Sequence, residues 1–312
     1  MIWVLIDASY LAHRARHCLG GLTFDDFHTG VLFGFLEQLL TTCQSNYIQS
    51  NKVAFFFDSK QSFRKQAYPE YKKKRHEDRT EEEIQQLTIM HEQVKLLRTT
   101  FLPGMGFKNL YRQTGLESDD LLAQAALEIE NDVDMRTGII TRGGVIITSD
   151  KDLCQCISTR VHWYDPQRNN YLNGSSLRAN YGVGPTDWAR MKAIAGCNSD
   201  NVEGIRGVGD KTAGFYIEGN LNPKTKKFQS IVCQEGQDII ERNMPLVKLP
   251  HVKTKAINLQ ENEFYQDQFF DLCRQYGIES YLDGRRYKDW VRFFRGRFDR
   301  QKDTARRRDE SR

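Results

Sequence analysis

Three short apolar runs punctuate the first half of the chain, and each stops at an aspartate: IWVLI before Asp7, KVAFFF before Asp58 and GVIITS before Asp150. None alternates apolar with polar positions, which fits strands buried on both faces of a parallel sheet. Between the runs, apolar residues recur at helical spacing over 31–40, 84–97 and 121–129. Strand, helix and strand in alternation predict an α/β fold with crossover connections. Ligand sites in open α/β sheets lie beyond the carboxyl ends of the strands, so topology alone places Asp7, Asp58 and Asp150 on one rim.

More acid gathers around that rim. The segment GLESDDLLA sets Glu117, Asp119 and Asp120 at the head of an amphipathic helix, after a weaker strand pattern in NLYRQ, and ITSDKDLCQ adds Asp152 to Asp150. Taken singly, each group has a structural explanation. Acids suit a helix's first turn, where the macrodipole favours negative charge, and Ser149 or Asp150 can cap the element that follows. Seven acids on one rim are harder to accommodate, because such a cluster is stable only if cations neutralise it or some acids stay protonated. Ligation by oxygen alone selects Mg²⁺ or Mn²⁺ over zinc.

Cationic residues lie beside the acids in sequence. Residues 60–75, KQSFRKQAYPEYKKKR, carry Lys60, Arg64, Lys65, Lys72, Lys73, Lys74 and Arg75 against a single Glu70, with Tyr68 and Tyr71 interleaved. As a solvated loop this needs no function. Leaving the rim straight after Asp58, however, it would overhang the acids, and cations mixed with rings make a platform for single-stranded nucleic acid. A second element, GIRGVGDKTAGFY, brings Gly204, Gly207 and Gly209 into a tight hairpin between an apolar helical stretch, 188–195, and another helix from about Asp210. Backbone N–H groups there can approach a phosphate closely, with Lys211 and the helix N-terminus adding positive field. No strand precedes these glycines, so they are not a GxGxxG nucleotide loop.

Bulk composition narrows the class. At 312 residues the chain is expected to hold one large domain and a smaller one, and its net charge of +4 is too small to identify a partner without the local pattern. The seven cysteines are odd in number and lack CxxC spacing, which predicts reduced thiols in a cytoplasmic protein without structural zinc. No secretory leader and no membrane-spanning stretch is expected. His13 and His17 stand four apart but lack a third ligand, and the basic tail ARRRDESR is open to DNA-contacting and solubilising readings alike.

The stretches LIDASYLAHRARH, FFFDSKQSFRKQAYPEYKKKR, GLESDDLLA, IITSDKDLCQ and SDNVEGIRGVGDKTA, in that order over roughly residues 2–217, resemble the 5′-nuclease superfamily. That superfamily includes the 5′→3′ exonuclease domain of bacterial DNA polymerase I, phage 5′-exonucleases and flap endonucleases. The resemblance implies a PIN-like, mostly parallel sheet flanked by helices over 1–180 with a helical arch at about 60–85. It further implies a helix-three-turn-helix duplex-binding domain over 181–260, with a C-terminal helical segment and basic tail over 261–312. By position, Asp7, Asp58, Glu117, Asp119 and Asp120 match the family's first metal cluster, and Asp150, Asp152 and Asp200 match the second. Arg64, Tyr68, Tyr71, Lys72 and Arg75 match the arch, with Lys73 beside them. Lys72 or Arg75 would stabilise the scissile phosphate, and Tyr68 or Tyr71 would stack the terminal base. Arg14 and Lys192 fall where family members carry basic residues near DNA. The three glycines and Lys211 match the duplex-binding hairpin, where a potassium ion often sits.

One position departs from the family pattern. The family usually reads G-D-x-S-D-N before the hairpin, whereas this chain reads GCNSDN, so Cys197 replaces a carboxylate associated with the second metal. A neutral thiol is a poor Mg²⁺ ligand. The expected function is two-metal hydrolysis of phosphodiester bonds at the 5′ ends or flaps of DNA, or of RNA in RNA–DNA hybrids. The setting would be removal of primers or flaps in replication and repair by a monomer that meets replication proteins. Two alternatives stay open: a structure-specific DNA binder with weakened catalysis, and a phosphohydrolase of small molecules.

Overall fold

The computed structural model describes residues 1–75, 79–132, 142–282 and 284–294, with Arg75 described through its backbone only. In chain order its strands are β1 (Ile2–Asp7), β2 (Thr23–Phe24), β3 (Phe27–His28), β4 (Val53–Phe56), β5 (Leu110–Tyr111), β6 (Gly143–Ile147), β7 (Val161–Asp165), β8 (Asn170–Leu172), β9 (Gly196–Cys197) and β10 (Val202–Glu203). Six form one sheet in the order β5-β4-β1-β6-β7-β8, while β2 with β3 and β9 with β10 form two-residue ribbons. β6 and β7 run parallel, with Val145 beside His162 and Ile147 beside Tyr164, and β8 closes the edge antiparallel. The three apolar runs are β1, β4 and β6, nearly every residue of which is buried. This is the pattern of a central, covered sheet.

The chain divides into two compact units that interleave in sequence. One holds Met1, Phe56–Glu81 and Tyr111–Asn258, and the other Ile2–Phe55, Glu82–Leu110 and Leu259–Arg312. Segments on both sides of residue 180 share one unit, because the Pro185–Ala195 helix packs on the 3-10 turn Lys151–Cys156 and on the Gln234–Val247 helix.

In the unit that begins with β1, the Ala8–Leu19 and Gly30–Cys43 helices lie against each other. A Cβ on Gly34 would come within 2.8 Å of the Ala15 Cβ, so glycine sets their spacing. Ala12, Ala15, Val31, Leu87 and Met90 make the buried seam to which the Glu81–Leu96 helix contributes. The C-terminal third, which has no motif in its sequence, closes the same unit with aromatic rings. Phe269, Tyr281, Trp290 and Phe294 are almost wholly buried, and the Trp290 and Phe294 rings stack at 4.8 Å. Burying a phenylalanine stabilises by about 1.5–3 kcal/mol, so this cluster fastens the last helix, Gly284–Phe294. The basic tail lies outside the described residues. No helix among the described residues is long and apolar enough to cross a membrane.

Candidate metal centre and nucleic-acid interface

Arg64 and Asp120 are bound to each other. Ser62 caps the short Phe63–Ala67 helix by accepting from Lys65 N, and this turn directs Arg64 inward. Its two terminal nitrogens donate to the two oxygens of Asp120, each at 2.7 Å, with Arg64 4% and Asp120 0% exposed. Asp120 Oδ1 also accepts from His251 N at 2.8 Å and Oδ2 from Glu117 N at 3.2 Å. Burial pulls the guanidinium pKa down, but the ion pair outweighs it and holds Arg64 above its ordinary value. Asp120 thus has both oxygens hydrogen-bonded within the protein, and Arg64 is buried against it.

Tyr71 is buried as well. Its ring is 3% exposed and packs with Ala193, Val202, Leu246 and Val247. Its hydroxyl lies 3.1 Å from Glu117 Oε2 and 3.2 Å from Asp200 Oδ2, acting as donor between two carboxylates. Burial, then the charges of Glu117 and Asp200, push the phenol pKa far up, so the proton stays in place. Lys72 follows in a left-handed conformation, φ 56°, which turns its side chain back toward the acids. Its Nζ lies 2.7 Å from Glu117 Oε2 and 3.9 Å from Asp200 Oδ2, and its N–H donates to Asp200 O at 2.9 Å. The basic segment thus supplies part of the counter-charge that the acids require.

Asp152 and Asp200 gather around Cys197, with Asp150 beside Asp152. Asp150 follows β6 and caps the Lys151–Cys156 turn, its Oδ1 accepting from Asp152 N at 2.8 Å. Cys197 Sγ faces Asp152 Oδ2 at 3.7 Å, and ligand atoms of Asp152, Cys197 and Asp200 lie within 4.8 Å of one another. Burial, and next the adjacent Asp150 charge, raise the Asp152 carboxyl to about 7, with Lys192 opposing. Burial and the Asp152 charge likewise push the Cys197 thiol up to about 11.

The remaining expected residues are more dispersed. Asp58 is exposed, and its Oδ1 accepts from Ser118 N at 2.8 Å beside half-buried Asp119. Asp7 belongs to the other unit, where its Oδ1 caps the Ala8–Leu19 helix through Tyr10 N; Arg14 on that helix lies over the Tyr10 ring at 5.5 Å. Tyr68 is half-buried under Arg242, and Lys73 is exposed with its ammonium 3.3 Å from Glu70. The Arg75 side chain lies outside the described residues. Burial pulls the Lys192 pKa down, but the hydrogen bond to Asp210 at 2.9 Å, together with the charges of Asp210 and Asp152, raises it overall. Gly207, Gly209 and Lys211 are exposed at the hairpin, with Gly207 at φ 77°.

Comparison with known proteins fits this arrangement. A family model described as "5′-3′ exonuclease, N-terminal resolvase-like domain" matches residues 2–182. The chain belongs to this 5′-3′ exonuclease family. DNA polymerase I of Thermus aquaticus is 34% identical over 232 residues, which is 73% of this chain and 25% of that protein. The chain therefore spans about a quarter of that relative's length. A "5′-3′ exonuclease" of Buchnera aphidicola is 25% identical over 75% of this chain and 78% of its own length. Among solved structures, phage T5 5′-exonuclease with bound zinc ions superposes with a TM-score of 0.63 at 22% identity, over 80% of this chain and 90% of that one. Flap endonuclease-1 of Methanococcus jannaschii gives 0.50 at 14% identity, over 94% and 91%. The fold is the PIN-like one of these nucleases.

A divalent metal, which the family implies, fits the donor chemistry of most of this site. Glu117, Asp119, Asp150, Asp152 and Asp200 offer hard oxygen donors, as Mg²⁺ and Mn²⁺ prefer, whereas Cys197 does not. Two further residues position these groups and were not singled out in the sequence. Gly196, at φ 80°, has no room for a Cβ, which would stand 2.4 Å from Gly204 N. Asn243 is fully buried and donates to both Ala193 O and Glu203 O at 2.9 Å, clamping β10 to the Pro185–Ala195 helix. Gly196 carried a legible signal, a glycine directly after the last periodic residue of a helix. Asn243 carried none, since a lone polar residue in an amphipathic helix reads as surface.

Proposed function

We propose that this chain hydrolyses phosphodiester bonds at the 5′ ends and 5′ flaps of DNA with two divalent ions, with Mg²⁺, or Mn²⁺ as substitute, at its all-oxygen position. The observation that carries the reading is the continuous set of groups from Glu117 through Tyr71 and Lys72 to Asp200, Cys197 and Asp152. Side chains of the basic segment reach into the carboxylates rather than standing apart from them. Glu117 and Asp119 would hold one ion, with Asp58 close by; Asp150, Asp152 and Asp200 would hold the other. Bound there, such ions supply Lewis acidity toward water and the phosphate oxygens. Lys72, freed from Glu117, would meet charge building on the scissile phosphate, and Tyr71 keeps Glu117 and Asp200 in place. Exposed Lys73, Gly207, Gly209 and Lys211 would hold the nucleic-acid backbone. Removal of primers or flaps in replication and repair is the setting that fits this substrate.

A second reading has Cys197 behind it: with one carboxylate replaced by a thiol, the chain binds branched DNA and does not cut. One assay separates the two. A 5′-flap duplex, and its counterpart with RNA in the flapped strand, is incubated with Mg²⁺ or Mn²⁺ beside an Asp150→Asn/Asp152→Asn control. Cleavage that vanishes in the control supports the nuclease. Tight binding without cleavage in either ion supports the binder.

A further inference from the structure

We infer that the pocket formed by Asp152, Cys197 and Asp200 is a mixed sulfur–oxygen site that takes a thiophilic divalent cation, such as zinc or cobalt, in preference to magnesium. The inference rests on the proposal that this pocket is the second ion site, and it assigns that site a different metal class from the first.

Two observations support it. The ligand atoms come from three short elements, the Lys151–Cys156 turn, β9 and the Asn198–Asp200 turn, and lie within 4.8 Å of one another. Donors around one zinc-sized ion, with metal–sulfur near 2.3 Å and metal–oxygen about 2.0–2.2 Å, stand under about 4 Å apart, so only a small side-chain adjustment is needed. Next, Sγ already points into the group, toward Asp152 Oδ2 and, at 3.1 Å, Ser199 Oγ.

The chemistry follows from donor softness. Mg²⁺ demands near-octahedral oxygen ligation and gains little from sulfur, whereas thiolate selects borderline and soft ions. On binding, the Sγ–H bond breaks, the proton leaves to solvent and an Sγ–metal bond forms; nothing is oxidised or reduced. The carboxylates around Glu117 and Asp119 hold no sulfur, so the two positions would differ in hardness within one centre.

The test uses the full chain stripped of metal and titrated with Co²⁺. A sulfur-to-cobalt charge-transfer band should grow to one equivalent, vanish in Cys197→Ser and survive in Cys233→Ser, the control for an exposed thiol. Equimolar Zn²⁺ should erase the band, while Mg²⁺ should need at least about a 100-fold excess. An oxygen-only cobalt spectrum in the unaltered chain, or a band indifferent to Cys197→Ser in a variant whose circular dichroism is unchanged, overturns the inference. Parallel cleavage of the flap substrate by Cys197→Asp in Mg²⁺ keeps the two readings apart. Cleavage without a band in the unaltered chain sinks only the mixed site, and a band without cleavage by either protein sinks only the nuclease.

Discussion

The guanidinium of Arg64 meets the carboxylate of Asp120 through two parallel hydrogen bonds of 2.7 Å, with both groups sealed from water. Removing one partner strands the other charge in the interior, at a cost of about 3–5 kcal/mol. Asp120→Ala should therefore lower the urea midpoint markedly, and the paired change Arg64→Met/Asp120→Leu should recover most of that loss. If Asp120→Ala instead kept its stability and lost only metal affinity, Asp120 would be a ligand after all.

Tyr71→Phe distinguishes a positioning hydroxyl from a stacking ring. It keeps the packing with Leu246 and Val247 but removes the donor shared by Glu117 and Asp200. Losing a group that orients metal-binding carboxylates typically costs about 10–100-fold in metal affinity or activity. Mg²⁺ titrations of flap cleavage should shift accordingly. Kinetics equal to those of the unaltered chain would show that the hydroxyl is idle.

Lys72 and Lys73 should separate by salt dependence. Lys73 is exposed, so Lys73→Ala should reduce the slope of log affinity against log salt by about one unit. Lys72 is turned onto Glu117, so Lys72→Ala should leave that slope intact and slow cleavage by about 10²–10³. Gel-shift titrations over a salt series, with single-turnover cleavage alongside, read both; equal slope changes would mean that both lysines reach phosphate.

The Asp152 carboxyl makes stability depend on pH. Its ordinary value of 3.8 rises to about 7 in the fold, through burial first and the Asp150 charge second. Between these values the folded protein holds a proton that the unfolded chain has lost, so this contribution to stability falls as pH rises and is fully lost above about 7. Metal-free Asp152→Asn should thus melt higher than the unaltered chain at about pH 8, with the difference shrinking toward pH 4. A difference independent of pH would place the effect elsewhere.

The two flanking glycines of the hairpin predict different failures. Gly207 has open space around it but a left-handed φ, so Gly207→Val should cost only about 1–2 kcal/mol while reducing duplex binding. A Cβ on Gly204 would stand 2.2 Å from the Ala195 carbonyl carbon, so Gly204→Ala should unfold the ribbon and weaken metal binding as well. Isothermal titration of both variants with Mn²⁺ and with duplex DNA shows whether the two losses separate.

What could be read in advance followed local rules. Buried apolar runs ending in aspartate announced β1, β4 and β6, and the helical periods announced Gly30–Cys43 and Ser118–Asn131. The acids were found by their density. The tasks of individual residues were not legible, because Arg64, Tyr71 and Asp120 are of the same types as the residues around them. What distinguishes them is burial against partners 46 to 56 positions away, such as Asp120 for Arg64 and Glu117 for Tyr71. The aromatic cluster of the last third escaped because Phe269, Tyr281, Trp290 and Phe294 are spaced too irregularly to show one face.

Gly196 and Gly204 bring two stretches of bare backbone together, where a side chain on either would collide with main-chain atoms. Main chain in such contact cannot yield by changing rotamer. Cys197 follows Gly196 directly and Asp200 stands four residues before Gly204, so both side chains leave main chain that this contact holds. For an ion bound as proposed, the main chain carrying the donors would already be ordered, leaving only side-chain rotamers to fix.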